Sequence, residues 1–150
     1  MLLSKSCEYG LRATLYLASL DDDTFTSIRQ ISDKLDISYH FLTKILQQLT
    51  AKGLLESFKG PNGGVKLAKS GKKIQLLEIV EAIDGGELFT ECVLGLPGCG
   101  MKKPCALHDK WMNRRNGIKD MMESTSLSEL SEQSISNCFR ITADKGLEEL

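Results

Sequence analysis

The chain contains 150 residues, of which 41% are hydrophobic and 26% are charged, and its formal net charge is −1. This composition is ordinary for a globular domain with its own core. No apolar run approaches the roughly 20 residues that a membrane helix needs, and the start of the chain turns charged too early for a signal peptide. The expected location is the cytoplasm, where five cysteines indicate metal or redox chemistry rather than structural disulfides.

Positive charge is concentrated in residues 26–75. Against three acidic residues, this segment has nine basic ones: Arg29, Lys34, Lys44, Lys52, Lys59, Lys66, Lys69, Lys72 and Lys73. A basic segment in a nearly neutral protein is what contacts with nucleic-acid phosphates require. A solvated lysine-rich surface is the other explanation that charge alone allows.

Three helices are predicted in the first third of the chain. Residues 4–20 carry apolar side chains at helical spacing, and the acidic run 21–23 ends this helix. A short helix follows that Thr26 or Ser27 can cap. Ser38 is placed to cap a third helix, and Gly53 is placed for the left-handed conformation that ends it. Two helices joined by a short turn, the second richer in outward polar and basic residues, are typical of a helix-turn-helix.

Residues 55–67 are predicted to form a strand, a tight turn and a second strand. The turn Gly-Pro-Asn-Gly-Gly contains residues that tolerate the positive φ angles it requires. A two-stranded ribbon directly after a helix-turn-helix is the wing of a winged helix, with Lys59 and Lys66 placed to reach DNA. An ordinary surface hairpin is the competing explanation, and the local basicity favours DNA binding.

Two further helices are predicted after the wing. Residues 76–83 form a short amphipathic helix that residues 84–86 end. From about Cys105 to Met122, the residues Leu107, Trp111, Ile118 and Met122 recur at steps of four, seven and four, which is typical of an apolar seam between helices. Such a helix either forms a dimer or packs back onto its own domain. From residue 124 onward, a tail with one short helix and weak order after it is expected.

Three cysteines and a histidine are gathered in a loop that glycine and proline interrupt. The spacing Cys-x6-Cys-x5-Cys-x2-His joins Cys92, Cys99, Cys105 and His108. Thiolates suit zinc, copper(I) and iron–sulfur clusters, and the glycines and prolines let the backbone wrap closely around an inorganic core. No cysteine pair has the two-to-four-residue spacing usual in zinc knuckles. The pattern favours an iron–sulfur cluster and leaves open a structural zinc site or sensing by bare thiols.

Taken in order, these segments resemble the IscR/NsrR-type winged-helix regulators of bacteria. The similarity runs through CEYGLRATLYLA, ISYHFLTKILQQLTAKGLLES, KGPNGGVKLAK, LLEIVEAIDG and the cysteine loop before a long helix, roughly residues 1–123. The resemblance implies a homodimer that binds palindromic promoter DNA and carries an iron–sulfur cluster in each loop. A 2Fe-2S cluster is favoured and a 4Fe-4S cluster stays open. The state of the cluster would switch DNA affinity in response to iron–sulfur supply, oxidants or nitric oxide.

The resemblance also implies a set of cluster ligands. Cys92, Cys99 and Cys105 would be the three thiolates. Family members take the fourth ligand either from the histidine three residues after the last cysteine, here His108, or from a carboxylate near the start of the partner subunit's first helix, here Glu8. His108 is favoured. The first gap has six residues, where well-known members often have about five, and this departure leaves the cluster type open.

Two other cysteines lie outside this set. Cys7 is expected to be a small core residue, and Cys138 has no expected role.

The DNA-reading helix is expected to present its first turns to the major groove. The candidate contacts there are Ser38, Tyr39, His40, Thr43, Lys44 and Gln47. On the wing, Lys59 stands where relatives often carry arginine, and it is expected at the minor groove or the backbone. A lysine there acts as a point charge without the planar fork of arginine.

The sequence therefore predicts a mainly α protein with a small two-stranded wing. Residues 1–84 would form a winged helix-turn-helix domain, 85–104 a cysteine-rich loop, 105–123 a dimerisation helix and 124–150 a C-terminal tail. The predicted function is a cluster-switched transcription regulator. A small iron–sulfur redox or transfer protein is the alternative from another class. The chain has no Cys-x-x-Cys, no nucleotide-binding glycine motif and no Ser/His/Asp arrangement, so an enzyme is not expected.

Overall fold

The computed structural model describes residues 2–20, 23–100 and 102–150. Within these ranges the chain forms six α-helices and one two-stranded antiparallel sheet, so the predicted fold class is confirmed. The elements are α1 Lys5–Ala18, α2 Ile28–Leu35, α3 Tyr39–Ala51, β1 Leu55–Phe58, β2 Gly64–Leu67, α4 Leu76–Asp84, α5 His108–Ser124 and α6 Leu127–Ser136.

Serine caps begin the first two helices. The hydroxyl groups of Ser4 and Ser27 each accept a hydrogen bond of 3.1 Å from a backbone N–H in the first turn, which the helix itself leaves free. Ser38 flanks the start of α3, as predicted, but its side chain makes no capping hydrogen bond. Gly53, at φ +74°, follows α3 in the left-handed region, as predicted. Of the acidic run expected to end α1, residues 21 and 22 lie outside the described residues.

The two strands form a wing that a third segment ties to the domain. They pair in antiparallel register, with Phe58 opposite Gly64. The backbone of Thr26, just before α2, exchanges two hydrogen bonds of 2.9 Å with Val65. A Cβ atom on Gly64 would overlap the carbonyl group of Thr26, so this close approach of two backbones requires glycine.

The helix α5 begins at His108, three residues later than the sequence pattern predicts. Cys105 to Leu107 instead form a turn, in which the N–H of His108 donates to the carbonyl of Cys105 at 3.0 Å. Leu107, predicted as the first seam residue, therefore flanks the helix, and its side chain is 42% exposed.

Residues 124–150 differ from the weakly ordered tail that the sequence pattern predicts. After α6 the chain forms a short antiparallel bridge and the 3-10 turn Leu147–Glu149. Leu127, Ile141 and Leu147 are buried in the main core. Their burial removes enough apolar surface from water to hold this segment against the domain.

Two clusters of buried apolar side chains stabilise the fold. The main cluster joins α1, α2, α3 and the sheet, with Ile31 and Leu42 fully buried. The second cluster joins α1 and α4 to α5, and its buried members are Cys7, Leu77, Val80, Phe89 and Met122. The C-terminal half of α5 is therefore packed against its own domain.

The predicted seam of α5 is only partly covered within the chain. Met122 is 6% exposed, whereas Met121 is 55% exposed. Trp111 and Ile118 are half-buried. None of the helices in the described part of the chain is long and apolar enough to cross a membrane.

Candidate metal centre and nucleic-acid interface

The cysteine loop places four predicted ligands around one pocket. Cys92, Cys99, Cys105 and His108 line it, together with the loop backbone around Pro97. The pocket has a volume of about 20 Å³, which is room for one water-sized sphere. The four side chains therefore converge on a space smaller than a polynuclear cluster.

The four donor groups form two close pairs. The Sγ atoms of Cys92 and Cys105 are 3.6 Å apart, and the Sγ atom of Cys99 is 3.6 Å from Nδ1 of His108. In a tetrahedral site with metal–sulfur bonds of about 2.3 Å and metal–nitrogen bonds of about 2.0–2.1 Å, two ligand atoms on one metal lie about 3.6–3.8 Å apart. Each pair is therefore spaced like two ligands of the same metal.

The four donors line one pocket but do not form a site for a single metal ion. Among the described residues, no group of three or more His, Cys, Asp and Glu side chains is arranged to hold a metal ion. The donor types and the spacing within each pair fit thiolate and imidazole ligation, whereas the four donors together do not form a single-ion site.

His108 contributes a buried imidazole with spare bonding capacity. The residue is 6% exposed, and its Nε2 has no hydrogen-bond partner among the described residues. A buried polar atom without a partner is costly, and neutral imidazole is a common metal ligand. The fit of this residue to a metal-binding role therefore rests on its burial as well as on its proximity to Cys99.

The thiol of Cys92 is set up to lose its proton. A hydrogen bond from the backbone N–H of Leu94 is the main cause of its lowered pKa, while burial opposes the shift. The N–H of Leu96 and the side chains of Cys105 and Cys99 act in the same direction as Leu94. The thiolate is the form that binds metals and attacks disulfides, so the local backbone favours the reactive form of this residue.

Arg115 belongs to this site, although the sequence pattern did not single it out. It is 9% exposed, and its guanidinium donates to the carbonyls of Thr90 and Glu91 at 3.0 and 3.1 Å and to Cys99 Sγ at 3.7 Å. The indole N–H of Trp111 also donates to the Glu91 carbonyl, at 3.0 Å. Two side chains of α5 thus hold the start of the cysteine loop. The signal in the sequence was the charged residue at position 115, which lies four residues after Trp111 and three before Ile118 in the predicted seam.

The other candidate fourth ligand is the partner subunit's Glu8, and Glu8 of the same chain does not line the pocket. It lies in the first turn of α1, and its carboxylate forms an ion pair of 2.8 Å with Lys5. Its neighbour Cys7 is fully buried, as expected. Burial, followed by the charge of Asp84, raises the pKa of the Cys7 thiol to about 12, so this thiol stays protonated in the core.

The predicted DNA contacts lie on α3 and on the wing. Ser38, Tyr39, His40, Lys44, Gln47 and Lys59 are exposed, and Thr43 is half-buried. The Thr43 hydroxyl donates to the carbonyl of Tyr39 at 2.7 Å. The rings of Tyr39 and His40 meet edge-on, with centroids 5.5 Å apart.

One wing lysine is partly neutralised within the protein. The Nζ atom of Lys66 lies 3.9 Å from Glu56 and 4.0 Å from Asp23, and its side chain is 22% exposed. Lys59 is therefore the better placed of the two lysines proposed for the wing.

The pair α2–α3, the wing that follows and the exposed polar and basic residues on both define a winged helix-turn-helix protein. Residues 3–133 match the Rrf2 family, described as iron-dependent transcriptional regulators. The chain belongs to this family. It is a transcription regulator rather than an enzyme, and the resemblance proposed from the sequence is confirmed.

Individual relatives agree with this assignment. A putative HTH-type transcriptional regulator of Aquifex aeolicus is 32% identical over 132 residues, covering 87% of this chain and 91% of that protein. The HTH-type transcriptional regulator NsrR of Shouchella clausii is 38% identical over 92 residues, covering 61% of this chain and 62% of that protein. The solved structure of CymR, the global cysteine regulator of B. subtilis, matches with a TM-score of 0.75 at 24% identity, covering 87% and 96% of the two chains. That last likeness supports the fold alone.

Proposed function

We propose that this regulator binds palindromic promoter DNA as a homodimer, and that an iron–sulfur cluster in the cysteine pocket switches its DNA affinity. The observation that carries the proposal is the arrangement of Cys92 with Cys105 and of Cys99 with His108 as two donor pairs. Two pairs suit a 2Fe-2S cluster, in which each iron takes two protein ligands. In a 4Fe-4S cluster each ligand would sit on its own iron.

His108 is the fourth ligand in this proposal. It lies in the pocket with the three cysteines, and its Nδ1 atom is 3.6 Å from the Sγ atom of Cys99. Glu8 of the same chain is engaged with Lys5 on α1. When bound, the cluster supplies a redox-active centre that oxidants or nitric oxide can alter.

The outer half of the loop has to move outward for a cluster to fit, since the pocket is small. Val93, Leu94 and Leu96 are about half exposed, at 48%, 53% and 51%. Gly95 and Gly98 both have positive φ angles, which glycine adopts readily. This part of the loop can therefore rearrange without breaking core contacts, while Arg115 and Trp111 hold the start of the loop.

The helix α4 connects the pocket to the DNA-reading helix. Phe89, in the turn before the loop, packs with α4 and α5 in the second core cluster. At the C-terminal end of α4, the side-chain amide of Gln48 on α3 donates to the carbonyls of Ala82 and Ile83 at 3.0 and 3.2 Å. A change in the loop that displaces Phe89 or α5 therefore acts on α4 and, through Gln48, on the orientation of α3.

The homodimer in this proposal forms through α5. Leu107, just before the helix, and Met121, near its end, are exposed by 42% and 55%, and Trp111 and Ile118 between them are half-buried. Apolar side chains that stay exposed along one helix are a candidate interaction surface. Cluster assembly beside this interface would fix the distance between the two reading helices, which has to match the spacing of the DNA half-sites.

The two histidines of the chain provide a matched test, because one lies in each proposed site. After anaerobic purification, His108→Ala is expected to lose iron and visible absorption, while His40→Ala keeps both and binds promoter DNA more weakly. Cys138→Ala is the control for cysteine substitutions, since this cysteine is exposed and outside the pocket.

Three outcomes would count against the proposal. If Glu8→Gln loses iron and His108→Ala keeps it, the fourth ligand comes from α1 instead. If both keep it, neither is a ligand. If the triple variant with Cys92, Cys99 and Cys105 changed to alanine binds promoter DNA as tightly as the iron-loaded protein, the cluster does not switch affinity.

A second candidate is a switch made of the thiols alone. The Sγ atoms of Cys92 and Cys105 are 3.6 Å apart, and the lowered pKa of Cys92, caused chiefly by the N–H of Leu94, favours its thiolate. Hydrogen peroxide would take two electrons from this pair as the Sγ–Sγ bond forms, and would be reduced to two water molecules with the Cys105 thiol proton and one proton from solvent. Iron-free protein whose DNA affinity changes with peroxide, reverses with dithiothreitol and no longer responds in Cys105→Ala would favour this candidate over the cluster.

A further inference from the structure

A cleft of about 550 Å³ separates the DNA-reading helix from the wing. It is lined by α3, by the start of α2 and by both strands. Ile28 and Phe58 give it an apolar surface, and the side chain of Phe58 is 58% exposed. Arg29 and Lys59 supply positive charge from α2 and from the wing, and none of the described residues that line the cleft is acidic.

Arg29 is held at this cleft by aromatic contacts. The carbon at the centre of its guanidinium group lies 5.1 Å from the centre of the Tyr39 ring. The Tyr39 ring in turn meets the ring of His40 edge-on. Such a cation–π contact orients an exposed arginine and leaves its N–H donors available for a bidentate contact with phosphate.

We propose that this cleft holds the sugar–phosphate strand lying between the major and minor grooves of bound DNA, and that Arg29 binds a phosphate of that strand. The inference rests on the proposed DNA-binding function and adds a contact to it. A helix in the major groove and a wing at the minor groove stand on either side of one backbone strand. The surface between them therefore has to accept that strand.

Charge and continuity both favour this occupant. The two cations match a polyanionic strand, and the apolar surface from Ile28 and Phe58 suits the deoxyribose rings. Tyr39, Gln47 and Lys59 line the cleft and are also predicted DNA contacts, so the cleft continues the interface already described. In this arrangement the Tyr39 ring positions Arg29 and links the phosphate contact to His40 on the reading helix.

The test uses the full chain and fluorescein-labelled duplex DNA of random sequence, with binding measured by fluorescence anisotropy over a series of potassium chloride concentrations. Arg29→Ala is expected to weaken binding to all sequences alike and to reduce the slope of log affinity against log salt by about 1 for each phosphate that the variant no longer binds. Arg140→Ala removes an exposed arginine that does not line the cleft, and it is expected to leave the slope unchanged.

Two variants of Tyr39 test its positioning role. Tyr39→Phe keeps the ring and is expected to keep the salt slope of the unmodified protein even where the lost hydroxyl lowers affinity, whereas Tyr39→Leu removes the ring and is expected to reproduce part of the slope reduction seen with Arg29→Ala. If Tyr39→Phe reduces the slope as much as Arg29→Ala does, the hydroxyl rather than the ring is needed and the positioning role is overturned. Arg29 and Tyr39 are exposed, so thermal unfolding followed by circular dichroism is expected to be unchanged in each variant.

Equal slopes for Arg29→Ala and Arg140→Ala would overturn the backbone assignment. Unmodified protein that binds no duplex, or binds it without salt dependence, would instead refute DNA binding itself. Two other occupants of the cleft can be detected separately. Either one, found together with an unchanged salt slope in Arg29→Ala, would overturn the assignment. A small apolar molecule would appear as added mass in native mass spectra. A second copy of the chain would make Arg29→Ala weaken dimerisation in analytical ultracentrifugation.

Discussion

Replacing Arg115 with alanine tests how the cysteine loop is attached to α5. The buried guanidinium donates to two backbone carbonyls at the start of the loop and to the sulfur of Cys99. Its neighbour Arg114 is exposed on the same helix, so Arg114→Ala removes the same charge without removing these hydrogen bonds. The comparison isolates the buried contacts from the change in net charge.

The expected cost follows from the partners left behind. Hydrogen bonds from a charged donor contribute about 1.5–3 kcal/mol. The lower part of this range applies because the Glu91 carbonyl keeps its bond from Trp111 and Thr90 is exposed to water. A loss of about 1.5–2 kcal/mol corresponds to a decrease of about 3–8 °C in the unfolding temperature of a chain this size. Arg114→Ala is expected to change stability by less than about 0.5 kcal/mol.

The assay is calorimetry of metal-free, reduced protein, followed by measurement of iron retained after anaerobic reconstitution and gel filtration. Arg115→Ala is expected to retain less iron than Arg114→Ala, because the loop start is released and the sulfur of Cys99 loses the hydrogen bond that positions it. Arg115→Lys restores the charge without the planar fork and is expected to lie between the two. Equal unfolding temperatures and equal iron contents for Arg115→Ala and Arg114→Ala would refute this reasoning.

The remaining predictions concern thiol titration and two glycines. In metal-free protein, the rate of iodoacetamide labelling at each cysteine is measured as a function of pH. The midpoint for Cys92 is expected below the ordinary thiol pKa of 9.0, because the Leu94 N–H lowers its pKa, and the midpoint for Cys138 above it, because the charge of Glu148 raises its pKa. Midpoints in the reverse order would contradict the assigned causes. Since the folded pKa of Cys92 is lowered, its stabilising contribution is present above pH 9.0 and is lost as pH falls through the folded pKa. In urea unfolding, Gly64→Ala is expected to lose about 1–3 kcal/mol through its overlap with the neighbouring backbone. Gly117→Ala, in the interior of α5 with open space around the new Cβ, is expected to gain about 0.5–1 kcal/mol, and a loss there would contradict the open surroundings.

Local sequence signals predicted most of the fold because they act over a few residues. The helix expected over residues 76–83 is observed as Leu76–Asp84, and the glycine-rich turn placed both strands of the wing. The start of α5 was wrong because its apolar spacing continued into a turn that Cys105 and His108 close. The order of residues 137–150 was missed because Ile141 and Leu147 show no helical or strand period and are fixed by contacts with distant segments.

The candidate site, like the fold, could be predicted from the sequence only in part. Spacing along the chain was enough to propose that three cysteines and His108 share one loop. It could not predict which donors lie next to each other, since the pairing of Cys92 with Cys105 depends on how the loop folds back on itself. It also passed over Arg115, whose role depends on the loop carbonyls that it reaches across the fold.

In the proposed function, two donor pairs hold a two-iron cluster that controls DNA affinity. The most direct test is the iron and acid-labile sulfide content of the unmodified protein after anaerobic purification, together with its visible absorption spectrum. About two irons and two sulfides per chain are expected, with thiolate-to-iron absorption bands. A colourless protein that contains only zinc, or a protein with about four irons and four sulfides per chain, would contradict the proposal.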